Sequence, residues 1–172
     1  MPEPRERRHF EDLAIGEVID LGPITVSKAM VVDFAREFDP FPFHLDEVAA
    51  KNSLLGGLAA SGWQTAALSM RMLVDQFLSG IASMGIAGFS DLKWKKPVMV
   101  GDTIGGTAAL VELAPSPAHR TYGIVSIDLE IRNDRGLPVM SMRLANRVAM
   151  RNRGSAPAQN AEPPLATNGN RS

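Results

Sequence analysis

Asp39 and His44 stand five positions apart on a segment stiffened by two prolines, Asp39-Pro40-Phe41-Pro42-Phe43-His44. A carboxylate and an imidazole at fixed spacing can serve as a general acid and base pair. Beyond them the run Gly56-Gly57-Leu58-Ala59-Ala60-Ser61-Gly62 offers nearly bare backbone just ahead of a long apolar stretch. Small residues let a ligand approach the main chain closely. We read the two segments as parts of one site.

Other chemistry finds less support. A nucleophilic serine would want a Gly-x-Ser-x-Gly turn and a partnered histidine. The local run is Leu58-Ala59-Ala60-Ser61-Gly62, so Ser61 reads as a helix N-cap. His9 falls in an N-terminal arm and His119 in a loop, and neither takes a role. Three scattered histidines and no cysteine leave no cluster with metal-ligand spacing, and no thiol chemistry.

The elements that must hold these residues can be read from periodicity. Residues 17–26 form a strand interrupted by Gly22-Pro23. Ser27 caps a helix over 28–37, where Met30, Val31, Phe34 and Ala35 recur at helical spacing. That helix ends before Pro40, because a residue preceding proline avoids the helical region. Asp39 and His44 therefore lie on a loop, followed by a short helical turn that begins near Asp46. Residues 61–78 are helical and apolar nearly all round, the pattern of a helix surrounded by protein. Strands follow at 86–94, 103–113, 120–132 and 137–150. In the third of these Ile127, Leu129 and Ile131 alternate with Asp128, Glu130 and Arg132, giving one buried and one wet face. Asn133-Asp134-Arg135-Gly136 is a turn between the last two strands. The layout is α+β, one buried helix wrapped by a mostly antiparallel sheet. We expect a flexible arm at 1–9, one domain at 10–151, and a disordered tail at 152–172, where Ala, Pro, Asn, Gly and Ser dominate.

The chain has 172 residues, 45% of them hydrophobic and 22% charged, enough for a core that needs no disulfide or metal. A net charge of -1 argues against nucleic acid or an anionic membrane as partner. The apolar stretch at 58–78 is broken by Gln64, Arg71, Asp75 and Gln76, so it reads as a buried helix and not a membrane span. The absence of cysteine and of a secretory signal fits a cytoplasmic protein.

Several of these features together resemble the MaoC-like dehydratases, which include the (R)-specific enoyl-CoA hydratases. The shared pattern is an Asp, a short proline-bearing loop, a His five residues on and a Leu-Asp pair, here Asp39 through Leu45-Asp46. A glycine opening the central helix follows eighteen residues after the His, here Gly62. A later basic-aromatic strand and a Pro…Gly-Asp-Thr turn also match, here Lys93-Trp94-Lys95-Lys96-Pro97 and Gly101-Asp102-Thr103. Two positions depart from the best-known hydratases. Phe41 stands where they carry Asn, and Met70, next to Ser69, stands where they carry Ser. Both changes make the site more apolar.

The resemblance implies the hot-dog fold over roughly residues 10–150. It implies reversible hydration of a 2-enoyl thioester to an (R)-3-hydroxyacyl product, with Asp39 and His44 sharing one water. Either of the two can be the base. The Gly62 N–H would meet the thioester oxygen, where a helix start offers free donors. Phe41, Ser61 and Trp63 are candidate substrate contacts. Lys93, Lys95 and Lys96, or Arg147, Arg151 and Arg153, are candidates for the phosphates of CoA. The substrate would be an acyl-CoA or acyl-carrier thioester, with no cofactor besides it. Partners would be a second copy of the chain, as a homodimer or a multiple of dimers with sheets joined edge to edge. Two alternatives stand beside the hydratase: a hot-dog thioesterase, and a non-catalytic acyl-thioester-binding subunit.

Overall fold

The computed structural model describes residues 7–151. The expected tail at 152–172 and the first six residues of the expected arm lie outside the described residues. In chain order the elements are β1 (Val18–Thr25), α1 (Lys28–Phe38), α2 (Pro42–Leu45), α3 (Glu47–Lys51), α4 (Gly62–Gln76), β2 (Ser83–Trp94), β3 (Thr103–Pro115), β4 (Tyr122–Asn133) and β5 (Pro138–Ala149). The strands form one sheet in the order β1-β3-β4-β5-β2, with every neighbouring pair antiparallel.

Strand alternation builds the core face. Ile127, Leu129 and Ile131 of β4 stand opposite Leu144, Met142 and Met140 of β5, and all six are buried. On the other side of β4, Ala108 and Leu110 of β3 continue the same face. Met72 and Leu73 of α4 join this cluster, so the helix lies against the sheet's apolar side. Fully burying one such Leu or Ile contributes about 1.5–3 kcal/mol. The β4–β5 turn uses Asn133 as expected. Its side-chain Oδ1 accepts the N–H groups of Arg135 and Leu137, while Gly136 takes a φ of +73°.

The caps also follow local chemistry. Ser27 accepts the Met30 N–H at 3.2 Å, and Asp46 accepts the Ala49 N–H at 2.8 Å. Three details differ from the expectation. The stretch read as a loop contains the four-residue helix α2, because Pro42 sits at its first turn and needs no N–H there. Strand β2 begins at Ser83, three residues early, and takes Gly85 at a φ of +101°. Helix α4 is not enclosed on all sides within one chain. Trp63, Ala67, Arg71 and Val74 form an exposed stripe along it. The end of the expected arm is fastened to the domain. Arg8 exchanges main-chain hydrogen bonds with Gly80 and Ala82 and pairs with Glu17 at 2.6 Å. Among the described residues no helix is long and apolar enough to cross a membrane.

Candidate active site

Three short segments meet at the start of α4. The first is the turn after α1. Asp39 is the C-cap of α1, with a φ of -151° and its N–H bonded to the Ala35 carbonyl at 3.0 Å. The Phe41 N–H closes back on the Asp39 carbonyl at 2.8 Å, and α2 then carries His44. The second segment is the small-residue run. Ala60 N–H bonds to the Val98 carbonyl, and Val100 N–H to the Leu58 carbonyl, so residues 58–60 are laced to the chain beyond β2. The third is the end of β2, which brings Trp94, Lys95 and Lys96.

This lacing fixes the histidine. His44 is buried, and its Nδ1 lies 2.8 Å from the Ala59 carbonyl. A carbonyl only accepts, so Nδ1 carries the hydrogen, and in the neutral ring the lone pair is on Nε2. Nε2 faces Asp39 Oδ2 at 3.7 Å, with 8% and 17% of the two side chains exposed. That is too long for a direct hydrogen bond. It is a separation that one water oxygen can bridge. Phe43 packs edge-on against the imidazole, with ring centroids 4.7 Å apart.

Ser61 is fully buried, and its hydroxyl donates to Asp39 Oδ2 at 2.5 Å. It also accepts the Trp63 N–H at 3.2 Å, which makes it the N-cap of α4. Gly62 is the first residue of that helix, where an N–H has no carbonyl of its own helix to bond. The Trp94 indole N–H donates to the Gly62 carbonyl at 2.8 Å, and the ring covers the glycine. A Cβ at Gly62 would come within 2.7–3.0 Å of the indole. Close approach therefore demands glycine here.

A cleft of about 360 Å³ opens onto His44, Gly62 and Trp94, with Thr65, Lys95 and Lys96 also among its lining residues. The structure thus brings Asp39, His44, Ser61 and Gly62 together. Of the other candidate contacts, Phe41 is 57% exposed and stacks on Phe43, which lines the cleft. Trp63 is 55% exposed and packs edge-on against Trp94. Ser69 bonds to the Thr65 carbonyl within α4, and Met70 lines a separate apolar groove with Val74 and Ile86. Among the basic candidates, Lys95 and Lys96 border the cleft. Lys93 borders, with Lys95, a depression of about 420 Å³ on the outer face of the sheet. The charges there are largely matched. Arg143 grips Asp128 at 2.6 and 2.7 Å, which holds the Asp128 carboxyl below its ordinary range. Arg147 bonds to the Ile86 carbonyl, Arg151 is paired with Asp12, and Arg153 lies outside the described residues. Among the described residues no His, Cys, Asp and Glu group is arranged to hold a metal.

Sequence reasoning missed Ala59 and Trp94. Ala59 acts through its carbonyl, which no side-chain motif announces. Trp94 sat within the basic-aromatic strand, but only the fold places it over Gly62.

The chain is similar to several known proteins in sequence and fold. A MaoC-like dehydratase from Rhodospirillum rubrum has a similar crystal structure, with a TM-score of 0.77 and 41% identity over 83% of this chain and 97% of that one. The uncharacterized protein YdeM of Bacillus subtilis strain 168 is 29% identical over 79% of this chain and 95% of its own. The (R)-hydratase from A. caviae, at 24% identity, a TM-score of 0.66 and coverage of 80% and 98%, shares the fold, which is the hot-dog fold. The MaoC like domain matches residues 11–128, and the chain belongs to that family of dehydratase-like domains.

Proposed function

We propose that this cleft adds water reversibly across the double bond of a 2-enoyl thioester, giving an (R)-3-hydroxyacyl thioester. The observation that carries the reading is the His44 ring. With Nδ1–H committed to Ala59, the free Nε2 faces Asp39 across 3.7 Å. A water held between them loses a proton to Nε2 as its oxygen attacks C3. Electron density moves to the thioester oxygen, which the Gly62 N–H stabilises. The proton taken by Nε2 is then passed to C2 on the same face, with the Asp39 carboxylate orienting the water, and His44 returns to its starting form. The lone pair at Nε2 thus favours His44 as the base. Lys95 and Lys96 beside the cleft support an anionic carrier such as CoA or an acyl-carrier phosphopantetheine.

The test is turnover of crotonyl-CoA. Loss of enoyl absorbance without thiol release marks a hydratase, whereas thiol release marks a thioesterase. Asp39→Asn and His44→Ala should each lower kcat/KM by about 10²–10⁴-fold while the protein stays folded. Activity near wild type in both variants would refute the assignment.

We further propose a homodimer joined through β2. This strand lies at the sheet edge, and nine of its twelve residues are exposed, Met84, Ile86 and Phe89 among them. A long apolar edge invites pairing with a second strand. Sedimentation should show a dimer at assay concentrations, and a wild-type protein that sediments as a monomer would overturn the proposal.

A further inference from the structure

We propose that Ser61 is a positioning residue, holding the Asp39 carboxylate against His44 while it caps α4. Its catalytic meaning rests on the hydratase reading above. The hydroxyl bridges two partners of different kinds. On one side it accepts the Trp63 N–H at 3.2 Å, and on the other it donates to Asp39 Oδ2 at 2.5 Å. With a donor on its lone pair, the Ser61 hydrogen goes to the carboxylate. The residue is wholly buried, so solvent does not compete for that hydrogen.

A short O–H···O⁻ contact is among the stronger hydrogen bonds, and a donor behind the hydroxyl strengthens it further. The oxygen that receives it is the one facing His44 Nε2. Ser61 therefore joins the turn after α1 to the start of α4 at the atom the chemistry needs. Full burial also removes Ser61 from direct substrate contact.

A capping role alone makes a different forecast. At an N-cap, glycine replaces serine at little cost. Ser61→Gly should therefore leave the helix nearly intact yet release Asp39. We expect a Tm close to wild type and a kcat on crotonyl-CoA lower by roughly tenfold or more, the scale of a lost hydrogen bond to a charged group. KM should stay within about twofold. A crystal structure of the variant should show the Asp39 carboxylate turned out of its place beside Nε2. Ser61→Ala is the second hydroxyl-free variant, should glycine beside Gly62 fail to fold. A kcat within about twofold of wild type, or an Asp39 carboxylate left in place, would overturn the proposal. If the wild-type protein turns over no enoyl thioester, the hydratase reading fails, and the position of Asp39 in the variant crystal alone decides on Ser61.

Discussion

At its start α4 has the cap Ser61, then Gly62 and Thr65, with Asp39, His44 and Trp94 gathered round them; Ser61 and Gly62 are bonded across chain segments to Asp39 and Trp94. At its last turn the same helix carries Leu73, Val74, Asp75 and Gln76. There Leu73 is buried in the core, and the Phe77 N–H closes the helix on the Leu73 carbonyl at 3.0 Å. Arg71 and Asp75 pair on the surface at 2.6 Å. Beside this end Met70, Val74, Leu78 and Ile86 line an apolar groove of about 300 Å³. The first end is a meeting of separate segments, where small residues make room for groups that do chemistry. The second end packs. One helix thus divides its length between a site that needs accuracy and a core that needs volume.

Substitutions can break or sharpen that division. Among substitutions along α4, the largest effect on activity should come from Gly62→Ala. Its methyl would meet the Trp94 ring at under 3 Å, so the ring or the helix start must shift. Displacement near 1 Å can cost on the order of 10²-fold in rate. We expect a kcat/KM loss of that size in the crotonyl-CoA assay with a small change in Tm. Leu73→Ala should do the reverse. It removes a fully buried side chain at the packing end, and stability should fall by about 2–5 kcal/mol in urea unfolding. The kcat of the folded fraction should stay within about twofold. If Leu73→Ala lowers kcat as far as Gly62→Ala does, the two ends are not separate in function. The smallest effect on either readout should come from Ile86→Asp, which places a charge in the groove beside the packing end. Fold and chemistry should survive in one chain, while sedimentation shifts from dimer toward monomer.

How much of this was legible beforehand depends on the range of the interaction. Ser27, Asp46 and Ser61 could be read as caps, because a cap is a bond between a side chain and a main-chain N–H two or three residues away. The core face of β4 could be read from strict alternation. The arrangement of Asp39, His44 and Gly62 was legible through its resemblance to a family pattern and not through spacing alone. Helix α2 escaped because four residues give no periodicity. The exposed stripe on α4 escaped because Trp63 and Val74 are apolar, and apolar type does not distinguish a core face from one open to solvent or to a second chain.

The sequence by itself determined the element order, the caps, the core alternation and the identities of the two titratable groups. These follow from local backbone preference and side-chain chemistry. Only the tertiary structure decided that the Ala59 carbonyl sets the His44 tautomer, that Trp94 seals Gly62, and that Ser61 grips Asp39. Each of these joins residues 15, 32 and 22 positions apart, respectively. Contacts at such separations arise when strands pair and a helix docks on their apolar face, so no local pattern records them.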